Sequence, residues 1–367
     1  MFIREDFSNI SDAFADLGVS DNAFTYFSCT GYHFRCTSNF AASLKLLLEF
    51  TSGLHCAEAQ MENVRDVIIQ ELAMYQDSPG EVLEQNLRRG LFGDHPAGVS
   101  IGGTPESVST ISAPLLQACH KAFYHPQQAV LVVVGDLTAE EIHELVAEID
   151  APVPEDLREQ LRPGYALGLP PTPYICQEHT RLPKPLLALG IKYPQPAQAV
   201  AAGENPGRAL LRRQLEGNFI FDLICGMASS GYWELYRRGL INNTFSSDHN
   251  AFPEFAYGSV SSECQQPEAL QEALVKLLFQ QGRDFIQVES IERLKRKYLG
   301  GYVAGFEGFD GLAFDLVATE FWGGNVDDFP QIIQNITRES LLNHYDELFR
   351  QEHMAVSLLL SDTATKS

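Results

Sequence analysis

Basic residues are scarce in this sequence: 26 Lys and Arg stand against 48 Asp and Glu, a formal net charge of −22. A surface that tracks phosphates wants the opposite sign, so no nucleic acid and no anionic membrane face is expected as a partner. Long hydrophobic runs are lacking too. No stretch approaches the ~20 apolar residues of a membrane helix, and the opening "MFIREDFSN" has neither the apolar core nor the basic cluster of a signal peptide. The seven cysteines (Cys29, Cys36, Cys56, Cys119, Cys176, Cys225, Cys264) form no CxxC pair. They give no support to a zinc knuckle or a disulfide framework, and the expectation is reduced thiols in a cytoplasmic protein.

Catalytic motifs are equally sparse. Zinc hydrolysis needs two histidines on adjacent helical turns, a third ligand and a glutamate to activate water. Neither HExxH nor HxxEH occurs. "HELVAE" at His143 and "HYDEL" at His344 each lack a second histidine and read as polar-face positions on amphipathic helices. The remaining histidines (His33, His55, His95, His120, His125, His179, His249, His353) form no ligand-spaced pair. "SIGGT" lacks the lysine of a phosphate loop, so Gly102 and Gly103 are read as a turn, and there is no GxSxG elbow. Glu140 and Glu141 are read as helix-start residues rather than a catalytic pair.

What is present belongs to a folded α+β protein. A chain of 367 residues, 45% hydrophobic and 20% charged, is long for one core and natural for two domains. "NAFTYFSCTGYHFRCT" reads as a strand or hairpin with Gly31 near its turn. Helices are expected after Ser38 or Asn39, over roughly Ala57–Met74, and after the Thr104 cap with Pro105 at the first helical position. "QAVLVVVGDLTAEEIHELVAEI" is expected to give a buried strand, a turn and a helix opened by a Thr138–Glu141 capping box. The proline-rich 151–174 reads as a linker between domains at 1–150 and 175–367. In the second part, strands are expected at Pro185–Tyr193, in "NTFSSDH" and "FAYGSVSSE", and at Met354–Ser361. Helices are expected over Gly207–Met227, up to Gly239, and near Pro267–Gln281, Val288–Tyr302, Leu312–Trp322 and Gln331–Phe349.

Taken in order, "VRDVIIQELAMYQDSP", "LFGDHPAGVSIGGTPESVSTIS", "CHKAFYHPQQAVLVVVGDL", "KPLLALGIKY", "SSGYWELYRRGLINNTFS" and "LKRKYLGGYVAGFEG" resemble the pitrilysin-type (inverzincin, insulinase-like) zinc metallopeptidases, specifically a bacterial branch of short two-domain members. The resemblance implies two tandem related α+β sandwich domains of the mitochondrial-processing-peptidase kind, the first without its leading strands and zinc helix. Glu71 matches the family's third zinc ligand but has no histidine partners, and Val64 stands where the family places a supporting acidic residue. No catalytic residue and no metal site is therefore carried over, and zinc is expected only if an HxxEH segment lies upstream.

The same resemblance places Asn22, Ala23, Phe24 and Thr25 on an edge strand to which peptides add through backbone hydrogen bonds. The alternative is an internal strand packed by Phe24, Tyr26 and Phe27. Arg237 and Arg238 fall in the second-half region that meets substrate, with Phe245 near where a tyrosine is expected. The family encloses peptides between two such halves, so the implied partners are an unstructured polypeptide and either a second copy or a paralogous half. Three readings follow: a non-catalytic peptide-binding or structural half, an active zinc endopeptidase whose HxxEH segment is missing from this chain, and a scaffold subunit that binds no peptide.

Overall fold

The computed structural model describes residues 9–54, 58–147, 174–193 and 203–361, and residues 151–173 of the expected linker lie outside them. Packing divides the chain into two units, Met1–Tyr75 with Ser100–Tyr165 and Gln76–Val99 with Ala166–Ser367.

In the first unit Asn9 caps helix α1 (Ile10–Asp16), its side chain accepting from the Ser11 amide at 3.1 Å. Strands β1 (Ser20–Thr25) and β2 (Thr30–Arg35) follow as an antiparallel hairpin with Asn22 opposite His33. The Tyr26 amide closes its turn on the Cys29 carbonyl at 2.8 Å. Gly31, expected near the turn, lies in β2 opposite Phe24, whose ring fills the space a Cβ would need. Helix α2 (Phe40–Ser52) begins after Asn39, held in the left-handed region at φ 59°. The Asn39 side chain donates to the Leu17 carbonyl at 2.9 Å rather than capping the helix. Ile10, Phe14, Val19 and Leu46 form the small core here, with Phe34 and Phe50 against it.

Helix α3 (Glu58–Gln76) is followed by α4 (Pro79–Phe92), α5 (Pro105–Ser109), α6 (Ala113–Phe123) and α7 (Ala139–Val146). Both expected caps are present: Thr104 accepts from the Ser107 amide, and Thr138 and Glu141 make a reciprocal capping box. Helix α4 was not expected from the sequence, although Ser78, Pro79 and the 3.6-residue spacing of Leu83, Leu87 and Leu91 are a helix signature.

The second unit is built on a five-stranded sheet in the order β3-β7-β4-β6-β5. Its strands are β3 (Tyr174–Thr180), β4 (Leu186–Lys192), β5 (Ser246–Ala251), β6 (Ala256–Glu263) and β7 (Met354–Ser361). The β3–β7 pair is parallel and the others are antiparallel. Successive residues of a strand face opposite sides, and β4 shows what this does. Leu187, Leu189 and Ile191 enter the main core, whereas Gly190 on the other side admits Leu87 and Leu91 of α4. Helices α8 (Pro206–Cys225), α9 (Ser230–Arg237), α10 (Pro267–Val275), α11 (Val288–Gly305), α12 (Phe309–Phe321), α13 (Phe329–Asn335) and α14 (Arg338–Leu348) complete the unit. The single helix expected over Gln331–Phe349 is two, because Thr337 stops one and caps the next. Strand β3 was also unexpected.

Lys192, at the α4 side of β4, is only 2% exposed. Its ammonium donates to the Leu91 carbonyl at the end of α4, and burial pushes its pKa down to about 8. The folded state therefore carries the cost of a buried cation below pH 8, and that cost fades as pH rises toward the free-lysine value near 10.4. Lys192→Met is expected to stabilise the unit by about 1–2 kcal/mol at pH 7, with the gain gone near pH 10.5, as read by urea denaturation at both pH values.

One local pattern recurs in the two halves. Helix α6 and helix α14 each have 11 residues, and each is followed by a three-residue 3-10 turn, Pro126–Gln128 or Gln351–His353. The apolar run after the second turn is β7, paired on both sides. The corresponding "AVLVVV" run, Ala129–Val134, is not the expected buried strand: it pairs with no strand among the described residues, and Leu131 is 42% exposed. Its composition favours a strand, but a strand exists only through backbone pairing with a neighbour.

Candidate functional site

The candidate zinc position lies on α3. Glu71 is exposed and accepts from the Tyr75 hydroxyl one turn later at 3.0 Å, and Val64 is half-buried with no polar group to offer. Among the described residues no group of three or more His, Cys, Asp or Glu side chains could hold a metal ion. Among the described residues, then, Glu71 lacks the further donors zinc needs, about four nitrogen, sulfur or oxygen ligands in a tetrahedron.

The candidate edge strand is better formed. In an antiparallel pair the backbone groups of alternate residues point toward and away from the partner. The Tyr26–Cys29 bond sets the parity, so Asn22 and Phe24 point toward β2 while Ala23 and Thr25 present their N–H and C=O groups on the other edge. No other strand pairs with that edge among the described residues. The Ala23 amide is held by the Asn22 side chain at 2.8 Å, a local bond that an incoming backbone carbonyl would replace. Phe24 lies over Gly31, and Tyr26, just past the end of β1, is 54% exposed.

Arg237 and Arg238 end helix α9 in the second unit. Arg237 is exposed and uses Nε on the Trp233 carbonyl at 3.1 Å, while Arg238 pairs with Glu234 at 3.6 Å. An open surface depression of about 400 Å³ is lined by Ala228, Ser229, Ser230, Trp233 and Arg237. The Trp233 and Tyr236 rings are exposed beside it, so an aromatic and cationic surface is available to a ligand. Arg238 does not line that depression. Phe245 packs edge-on against Tyr232.

A buried polar cluster in the second unit was not expected from the sequence. His344, expected on a polar helix face, is 5% exposed in the second-unit core. Its Nδ1 lies 3.2 Å from Glu216 of α8, and its Nε2 meets the Tyr193 hydroxyl. That hydroxyl is also 3.0 Å from Nε2 of His249 on β5. Arg212 bridges Glu216 at 3.3 Å and Glu204 at 3.1 Å, and Arg213 pairs with Glu347 at 2.7 Å while lying over the Tyr193 ring. Burial pushes the Tyr193 phenol well above its usual range. Burial, then the charge of His344, holds His249 well below its own, so it is neutral. Burial alone would raise Glu216, but the hydrogen bond and charge of His344 and the charge of Arg212 outweigh it and keep the carboxyl below the usual range. A glutamate inside the apolar stretch "LLRRQLEGNFIFDLIC" was the available signal, since a buried carboxylate demands partners.

Among the described residues no helix is long and apolar enough to cross a membrane. Over 348 residues the chain is 28% identical to the uncharacterized zinc protease YmfH of Bacillus subtilis, covering 94% of this chain and 78% of that protein. A putative M16-like peptidase from Alicyclobacillus acidocaldarius superimposes with a TM-score of 0.85 at 25% identity, over 97% of this chain and 84% of that one. A peptidase M16 inactive domain from Pseudomonas fluorescens has the same fold at a TM-score of 0.72 and 15% identity, over 98% and 84% of the two chains. The model of the peptidase M16 inactive domain matches residues 110–298, more than half of the sequence, and the chain therefore belongs to the pitrilysin-type M16 peptidase family.

Proposed function

We propose that this chain is a non-catalytic member of its family that holds an extended peptide along β1 and acts as one half of a clam-like peptidase assembly. The second half is another copy or a paralogue. Glu71 carries this reading: the ligand position is kept while the described side chains around it do not make a zinc site. The open edge of β1 supports the binding part, because strand addition uses backbone groups and needs no catalytic side chain.

The test measures zinc content, peptide binding and cleavage on the same preparation. The expected result is substoichiometric zinc, unchanged in Glu71→Gln, with a labelled unstructured peptide bound and left uncut. Ala23→Pro removes one outward N–H without touching the β2 pairing and is expected to weaken that binding about tenfold, the equivalent of one lost hydrogen bond. Stoichiometric zinc with cleavage abolished by Glu71→Gln would overturn the proposal, and no peptide binding at all would leave the scaffold reading.

A second reading is supported by the names of the relatives. YmfH is called a zinc protease and part of it lies outside the match. The active endopeptidase would then require an HxxEH segment encoded upstream of Met1, and the in-frame DNA there decides it.

A further inference from the structure

The second unit has its own edge strand, β5, hydrogen-bonded to β6 and to no other strand among the described residues. The Phe252 amide bonds to the Phe255 carbonyl at 2.8 Å in the turn that joins β5 to β6, so the backbone groups of Ser247, His249 and Ala251 point to the outer side. The outer side is not bare at its C-terminal end. Gln214 of α8 donates its side-chain amide to the His249 carbonyl at 2.5 Å and accepts from the Ala251 amide at 2.7 Å. Asn218, one turn along α8, steadies the same amide at 3.2 Å.

The pattern has a specific meaning. In a parallel pair, one residue donates to the carbonyl before the residue it faces and accepts from the amide after it. The Gln214 amide makes that pair of bonds around Asn250, so it stands in for one residue of a parallel strand. An unprotected edge strand invites pairing with another chain, and blocking part of the edge is the usual remedy.

We infer that β5 is a second, latent peptide-binding edge, closed by α8, whose Gln214 side chain bonds to it and whose Gly217 lies against the His249 ring, and that its natural competitor is an extended polypeptide running parallel to β5. The inference deepens the proposed function, on which it rests for the peptide as ligand. It makes Gln214 the residue that confines capture to β1.

Gln214→Leu keeps the size of the side chain and removes both bonds. Peptide stoichiometry is measured by anisotropy titration with a labelled extended peptide on the full chain, and hydrogen exchange maps the bound segments. The expected result is one peptide per wild-type chain and two per variant, with new protection over Ser246–Ala251 on peptide addition. One peptide on both proteins, with β5 exchange unmoved by peptide, would overturn the inference and leave the β1 reading standing. No peptide on the wild type and one on the variant at β5 would sink the β1 reading and keep this one. A variant that dimerises through β5 and excludes peptide would also overturn it, because the occupant is then a second copy. Should Gln214→Leu not fold, Gln214→Glu serves: its carboxylate still accepts from Ala251 but cannot donate to His249, and partial opening of the same site is expected.

Discussion

Glu216→Ala is expected to cost the second unit about 3–5 kcal/mol, the usual result of removing one member of a buried ion pair. Glu216 is 3% exposed and serves both His344 and Arg212, so its loss leaves the buried His344 Nδ1 without its carboxylate and Arg212 with Glu204 alone. Against a total stability of about 5–15 kcal/mol this is a large fraction, and urea denaturation followed by circular dichroism measures it. A loss below about 1 kcal/mol would show that Tyr193 and Glu204 satisfy the cluster without the carboxylate.

The same cluster sets an acid limit. Glu216 has a folded pKa below that of the free residue, so its contribution is present above about pH 4.3 and is lost as pH falls through the lower, folded value. His249 acts earlier. Its folded pKa lies well below the free value near 6.5, so under that pH the unfolded chain takes up a proton that the folded chain refuses. Stability should fall by about 1.4 kcal/mol per pH unit from this residue alone. Of the groups beside it, Tyr193, His344, Arg213 and Gln214, only the hydrogen bond with the Gln214 backbone favours the proton, and burial outweighs it while His344 and Arg213 further disfavour the charge. In His249→Gln the slope between pH 6.5 and 5 should therefore be shallower by that amount.

Gly207→Ala is expected to cost about 3 kcal/mol, and to do so by a different route. A Cβ there would overlap the carbonyl carbon of Gly323, the nitrogen of Gly324 and the carbonyl oxygen of Trp322. All three are backbone atoms, so no side chain can rotate away, and overpacking of this kind falls at the upper end of its usual range. Gly300 provides the contrast, since it lies inside α11 with open space around it. Gly300→Ala should stabilise by about 0.5–1 kcal/mol through helix propensity alone. Thermal unfolding of the pair separates close approach from backbone flexibility as the reason for glycine at the two positions.

The fold was largely legible where local chemistry fixed it. Caps at Thr104 and Thr138 and the continuous apolar run of β7 were readable because each depends on a few adjacent residues. Three features were not. Ala129–Val134 has strand composition, but pairing partners are a non-local property. Helix α4 was hidden by its many polar residues, and its buried stripe is defined only by the second sheet. His344 looked like a surface residue because its partners, Tyr193, Glu216 and His249, are far from it in sequence. The family was legible and the Glu71 position with it. The Gln214 bonds were not, because they depend on how a helix side chain meets a strand 35 residues later.

Helix α4 is made early and belongs to the second unit, where its Leu87 and Leu91 lie against Gly190 of β4. The strand between β3 and β4 is β7, which begins at Met354. A ribosome must therefore pass Met354 before the sheet that covers α4 can close. Until then the α4 stripe and the flanks of β3 and β4 stay open, and contact order across this unit is high. Premature termination anywhere before Met354 would remove a central strand rather than an end, leaving a nascent chain that cannot complete its core and is exposed to chaperones and proteases.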